Sequence, residues 1–322
     1  MNLIYADESR VDQGVLLDYE FDLALGGDEN DFECTIHSIS HCCQAGYFLY
    51  MEGTEYGGIV DGIQSKSGTG EVVYTGRTWH GILNSKVLQP DDGQDYLICS
   101  GEANAVIGDL LTRMGLSDLF AASPVSSGLT ISSYKMHRYI TGYDGMRKML
   151  ASVSGKLVFE VQGDGTVLLS AVPARDYTQD EEFDSDGVDF DLSKKYNTVN
   201  HLVCLGSGEL ADRTVVHLYT DASGNISQTQ TFTGVDEYAD VYDYPNAESV
   251  DELIKSGKER LKELWGQDAL SINFDPDADL YDVGDVVGAY DNVTKIAVSA
   301  EIVKKIVTIK NGQITISYEV GG

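Results

Sequence analysis

The stretch Tyr196–Asp221, YNTVNHLVCLGSGELADRTVVHLYTD, decides how the chain is read. Two runs rich in β-branched and aromatic residues flank a Gly206-Ser207-Gly208 turn. The turn is followed by an acid and by Asp212-Arg213, a pair able to form a salt bridge. Apolar runs bounded by glycine turns predict antiparallel strands, because branched and aromatic side chains pack well on a pleated surface and glycine supplies the turn.

The same pattern governs both flanks. From Val15 to about Leu88 short strands alternate with turns: GVLLDYEFDLAL, then Gly26-Gly27-Asp28, then DFECTIHSI, then YFLYMEGTEYGGIVDGI. Gly57-Gly58 and Asp61-Gly62 suit tight turns or bulges, and Glu71–Ile82 reads as one further strand. These strands predict a small antiparallel barrel or sandwich. The chain closes with AEIVKKIVTIKNGQITISYEVG (Ala300–Gly321), a long hairpin around Asn311-Gly312, a type I′ turn signal.

Between the β-rich ends the periodicity changes. Ala103, Val106, Ile107, Leu110, Leu111 and Met114 recur with the helical period after Ser100, the expected cap, and Gly115 stops them. A second helix is expected from Gly142 to Val153, with Tyr143, Met146, Leu150 and Val153 inward and Gly155 at its end. Lys156–Val172 reads as a hairpin turning at Asp164-Gly165, and Thr178–Leu192 as an acidic linker. The strongest helix signal is Ser249 to Trp265: Ser249 and Glu252 make a capping box worth about 1 kcal/mol. Its apolar stripe is Val250, Leu253, Ile254, Leu261, Leu264 and Trp265, and Gly266 ends it.

Taken with VVYTGRTWHGILNSKVLQP (Val72–Pro90) and the closing hairpin, Tyr196–Asp221 resembles the tail-hub, or baseplate-hub, proteins of phages and prophages, including the N-terminal hub part of tail-associated lysins. The resemblance spans most of the chain through diffuse motifs. It implies a mainly β chain with an α+β insertion, built as two small antiparallel β-barrels plus a mixed domain. The expected division is 1–95 as the first barrel, 96–180 as an α+β peripheral domain, and 181–322 as a second barrel with the helix 249–265 inserted. MEGTEYGGIVDGI and LYDVGDVVGAYDN share a loose plan, in keeping with two related barrels. Three such chains would present six quasi-equivalent barrels to a sixfold tube.

The same resemblance implies the partners: a homotrimer, a tail-tube or distal tail protein, a tape-measure protein and tip or receptor-binding proteins. DNA would pass through the lumen without specific binding. The protein would be made in the host bacterial cytoplasm and reside in the virion tail. Tail-associated lysins carry their hydrolase in an added C-terminal domain. This sequence ends just after its last hairpin, so the expectation is the hub without the enzyme.

Composition sets independent bounds. At 322 residues, two or three domains are expected, and 42% hydrophobic content suffices for real cores. No run approaches the roughly 18 apolar residues of a membrane span. MNLIYADESR shows no secretory signal pattern. The odd count of five cysteines (Cys34, Cys42, Cys43, Cys99, Cys204) reads as buried thiols, not as a disulfide framework. A net charge of −30 argues against a sequence-reading nucleic-acid binder, which needs a basic footprint. Two readings of that charge stay open. It keeps a β-rich surface soluble, or it forms a wall that passing DNA does not adhere to, acting within a Debye length of about 8 Å.

The chemical candidates are few. Cys34, His37, His41, Cys42 and Cys43 have a zinc-like look, and on a helix His37 and His41 would share a face. The local alternation predicts a strand, which sends Cys34 and His37 to opposite sides. Asp184, Asp186, Asp189 and Asp191, and separately Asp275, Asp277 and Asp279, resemble calcium runs but lack the glycine and glutamate of an EF-hand. Pro276, Asp282 and Asp285 suit a turn. HExxH, G-x-S-x-G and Walker patterns are absent, and His80, His137, His201 and His217 read as isolated. No catalytic, cofactor-binding or metal residue is assigned, and no cofactor is expected. Nineteen tyrosines, including Tyr238, Tyr242 and Tyr244, read first as caps on sheet edges. They also leave open a carbohydrate- or cell-wall-binding β protein with calcium as an optional ligand. A cell-wall hydrolase is a third and weaker reading.

Overall fold

The computed structural model describes residues 2–37, 43–179, 182–184, 190–193, 198–247, 249–265, 269–273, 281–310 and 312–321. The chain forms two compact units, one of Met1–Asp191 with Ser271–Gly321 and one of Leu192–Leu270. Among the described residues the protein is mainly β with four α-helices.

The first unit is organised by one large sheet that draws on both ends of the chain. Its main run is Gln313–Gly321, Ala297–Lys310, Tyr19–Gly26, Asp31–Ile36, Glu71–Thr78, Gly57–Lys66, Phe48–Tyr50, Leu3–Ala6 and Asp12–Leu16, each pair antiparallel. Ala269–Asn273 extends it beyond Gln313–Gly321, and Val286–Tyr290 pairs with Ala297–Lys310 and, in parallel, with Glu182–Asp184. Among the described residues no pairing joins the two ends of this sheet, so the path is open. The terminal hairpin therefore lies beside the N-terminal strands, sharing a sheet with residues some 280 positions earlier, as in the pair Thr308 and Asp22 (separation 286).

Alternation explains the register. Phe21, Leu23 and Leu25 face inward, level with Phe32, Cys34 and Ile36 on one side and Val307 and Ile309 on the other. A one-residue slip would expose this whole row, so the buried face fixes the pairing. Each such side chain contributes about 1.5–3 kcal/mol on full burial.

Three helices pack in the same unit. The strand expected over Glu71–Ile82 stops at Thr78, whose hydroxyl accepts from the Gly81 N–H and opens helix α1 (Trp79–Asn84). Trp79, His80, Gly81, Ile82 and Leu83 of this turn are all buried, so burial is continuous through it and strand-like alternation ends. Helix α2 (Ala103–Met114) buries Val106, Ile107, Leu110 and Leu111 and ends on left-handed Gly115, as its periodicity predicts. Its cap is Glu102, whose carboxylate accepts from the Ala105 N–H at 3.1 Å. Ser100 falls instead inside the strand Ile98–Glu102. Helix α3 (Gly142–Ala151) buries Tyr143, Met146 and Leu150, and Gly155 opens the following strand. That strand, Gly155–Val161, forms the expected hairpin with Val167–Pro173, which Phe120–Ala122 joins in parallel.

The second unit is a sheet with one helix. Its order is Ile226–Ser227, Val215–Thr220, His201–Leu205 and Ala239–Asp243, the last pair parallel. Helix α4 (Val250–Leu264) starts where Ser249 accepts from the Glu252 N–H at 3.2 Å. Leu253 and Leu261 are fully buried with Leu202, Cys204 and Leu218 of the sheet. Val250 is 51% exposed and Trp265 lies just past the helix as its C-cap, so the stripe is narrower than expected. Gly257 sits where a Cβ would come 2.5 Å from Cys204 Sγ, so only glycine lets this helix approach its sheet.

Candidate functional site

The alternation of AEIVKKIVTIK contains an anomaly. Lys305 stands in line with Val307 and Ile309, the inward row of the terminal strand, and is 2% exposed. A buried ammonium requires paired charges, since desolvation penalises it heavily. Lys305 Nζ donates to Glu55 Oε1 at 2.9 Å, lies 3.9 Å from Asp282 Oδ1, and sits 5.5 Å from the ring centroid of Tyr56. Its neighbour Lys304 points to the other face and meets Glu29 at 2.5 Å and Glu319 at 3.4 Å.

Asp282 continues the network. Lys156 Nζ donates to Asp282 Oδ2 and to Asp285 Oδ2, each at 2.7 Å. Asp285 is fully buried and also accepts the backbone N–H groups of Arg175 at 2.8 Å and Asp282 at 3.0 Å. Burial pulls the Lys156 ammonium down, but Asp282 and Asp285 outweigh it and hold the group above its ordinary value.

His80 sits beside this network, 4.0 Å in centroid distance from Phe159 and 5.1 Å from Tyr143. Burial, followed by the charge of Lys305, pushes its imidazole down to about 3, against the opposing pull of Asp282. Its Nε2 is 3.8 Å from Glu55 Oε2, but a neutral ring at that distance makes neither an ion pair nor a hydrogen bond. A cavity of about 290 Å³ is lined by Glu55, Tyr56, His80, Phe159, Asp282 and Lys305. The arrangement holds charge in fixed pairs. Chemically it is a clasp that fastens the terminal strand, the Glu55 turn, the Lys156 strand and the Asp282–Asp285 turn to one another.

On the opposite face of the large sheet lies a broad hollow of about 510 Å³ lined by Asp22, Glu29, Asp31, Glu33, Thr75 and Arg77 among others. Asp22 and Glu33 are directly opposed across neighbouring strands, an unfavourable placement for like charges. Thr308 Oγ1 donates to Asp22 Oδ1 at 2.6 Å, and Arg77 is held away from these acids by Asp61 at 2.7 and 2.8 Å.

The residues singled out in the sequence take varied positions. Cys34 is buried within the strand Asp31–Ile36, and His37, just past its end, is 46% exposed beside Glu71 at 3.6 Å. Cys43 is buried, and its N–H donates to the Tyr74 hydroxyl at 3.3 Å. His41 and Cys42 lie outside the described residues, as do Asp186, Asp189, Asp275, Asp277 and Asp279. Burial raises the Cys99 thiol and pushes that of Cys204 up to about 11. Seven of the nineteen tyrosines, Tyr50, Tyr56, Tyr74, Tyr143, Tyr177, Tyr281 and Tyr318, are buried in the interior. Asp212 and Arg213 do not pair; Arg213 donates to Asp243 and to the Gly206 carbonyl. His201 and His217, which read as isolated, meet at 2.8 Å because antiparallel pairing brings residues 16 apart together. Lys305 could have been found from sequence by its place in an apolar row; Glu55 and Asp285 leave no comparable trace.

The fold is that of phage and prophage tail proteins. The tail protein from Neisseria meningitidis MC58 is similar over 100% of this chain and 96% of its own, with a TM-score of 0.52 and 14% identity. The 43 kDa tail protein of prophage MuSo2 from Shewanella oneidensis is similar over 99% and 98%, with a TM-score of 0.57 and 7% identity. Prophage tail protein gp18 from Listeria monocytogenes EGD-e is similar over 99% and 94%, with a TM-score of 0.51 and 13% identity. No protein-family model matches the sequence, and no curated protein matches it.

Proposed function

We propose that this chain is a structural hub protein of a phage or phage-like tail, with three copies forming a ring that closes the tail tube and carries the tip apparatus. The observation that carries the reading is the likeness of fold to three tail proteins over nearly the whole of each chain. Its role is mechanical, and no reaction is assigned to it. Segments 1–95 and 181–322 supply the two barrel-like hub modules, and 96–180 the peripheral module. The two segments meet where Ala297–Lys310 pairs with Tyr19–Gly26. The clasp at Lys305 suits a part that bears load, because it fixes the terminal strand by charge as well as by ladder hydrogen bonds. The acidic hollow around Asp22 and Glu33 supports the reading of a wall along which DNA moves without sticking. Neighbours in the particle are then the tube or distal tail protein, the tape-measure protein and the tip proteins.

Light scattering across a concentration series, followed by capture with purified tail-tube protein, tests this. A trimer, or a monomer converting to trimer as concentration rises, with tube binding, is expected. A chain that stays monomeric and ignores assembled tubes overturns it.

A further inference from the structure

The histidine pair of the second unit has the geometry of a ligand set. His201 and His217 lie on adjacent antiparallel strands, with His201 opposite Tyr219 and Val203 opposite His217, so the two rings are diagonal neighbours on one face. That face is the one turned away from Leu202, Cys204 and Leu218, which pack with α4. Tyr219 stacks on the His201 ring at 4.3 Å and 22°. His201 is 9% exposed, whereas His217 is open to solvent.

Glu237 decides the tautomer. Its Oε1 lies 2.6 Å from His201 Nδ1 and can only accept there when ionised, which places the ring proton on Nδ1. In the neutral ring this leaves the lone pair on His201 Nε2, which faces His217 Nδ1 at 2.8 Å. Only one proton fits between those two nitrogens. A carboxylate that orients a histidine by its far nitrogen is the usual outer support of a metal-bound imidazole. Imidazole nitrogens suit zinc, copper and nickel.

We propose that His201 Nε2 and His217 Nδ1 form a site for a divalent late first-row transition metal of the zinc class, with Glu237 as its positioning residue. Tetrahedral binding at about 2.1 Å needs the nitrogens roughly 3.4 Å apart. The exposed His217 ring reaches that spacing by a small rotation. A neutral His217 carries its proton over to the solvent-facing Nε2, so no net proton is lost. Among the described residues no group of three or more His, Cys, Asp and Glu side chains gathers for a metal. Water completes the coordination, and the metal exchanges readily. The site stands independently of the hub reading.

The test is a Zn²⁺ titration of the full chain in excess Mg²⁺, which occupies the many surface carboxylates, alongside ¹⁵N-imidazole NMR of the same protein. One equivalent of Zn²⁺ is expected to bind. The His201 Nε2 and His217 Nδ1 resonances should shift while those of the other four histidines hold still. His217→Gln, at an exposed position, should abolish that equivalent, and Glu237→Gln should weaken it 10–100-fold. Uptake equal in wild type and His217→Gln, or an NMR spectrum in which neither nitrogen responds, overturns the proposal. Because the NMR arm uses unaltered protein, a variant that folds poorly does not obscure the outcome.

Discussion

Lys305 Nζ donates to Glu55 Oε1 at 2.9 Å although the two residues stand 250 positions apart. The contact pins the terminal strand to a turn at the start of the chain, and both charges are largely removed from water, with side-chain exposures of 2% and 18%. Removing Glu55 takes one carboxylate from the buried Lys305 ammonium, which keeps Asp282 at 3.9 Å. Glu55→Gln should therefore destabilise the protein by about 1–3 kcal/mol, measured by urea unfolding. Replacing both, as in Glu55→Gln with Lys305→Met, should recover much of the loss because no buried ammonium remains. Additive losses in the double variant would show that the pair is not coupled.

His80 supplies a pH dependence of defined sign. Its folded value is lowered to about 3 from an ordinary 6.5, so the unfolded chain takes up the proton first. Stability due to this group is full above pH 6.5 and is lost as pH falls toward about 3. Between pH 6.5 and 5.5 the loss is about 1 kcal/mol. His80→Phe, which keeps a flat ring against Phe159, should remove that increment from a comparison of unfolding midpoints at the two pH values.

Gly257 and Cys204 form a second coupled pair. Alanine is the better helix former by about 1 kcal/mol. Yet Gly257→Ala should lower the melting temperature, because its Cβ would stand 2.5 Å from Cys204 Sγ and 2.8 Å from Leu218 Cδ1. Overpacking of this kind costs about 1–3 kcal/mol. Cys204→Ala in the same chain should restore part of the loss in a thermal melt, and failure to do so would place the strain elsewhere.

Deleting residues 297–322 should leave Tyr19–Gly26 as an uncovered edge and take Lys305 away from Glu55. Exposed strand edges template association. The shortened chain is expected to aggregate, seen as excess light scattering and loss of the near-ultraviolet signal of the buried tyrosines.

Local order was legible where it depends on neighbours in the chain. The periodicity of Ala103–Met114, the Ser249 cap and the hairpins at Gly165 and Gly312 are set by backbone preference and by side chains a few residues away. Boundaries failed where tertiary burial overrode the pattern: Trp79–Leu83 is apolar enough to continue a strand, yet Thr78 caps it into a helix whose whole turn is buried. His201–Leu205 and Val215–Thr220 are the strands that their pattern predicts, but adjacency in sequence does not predict the charge partners. Arg213 has a carboxylate beside it in sequence and takes Asp243 from another strand.

The sequence by itself determined a β-rich, strongly acidic chain with an α+β insertion, since alternation, helical period and charge are properties of short windows. Only the tertiary structure decided that the last hairpin lies beside the first strands, that Lys305 and Glu55 are partners, and that His201 faces His217. Such meetings depend on which buried faces match across hundreds of residues, and on the need of a desolvated charge or ring nitrogen for one particular partner.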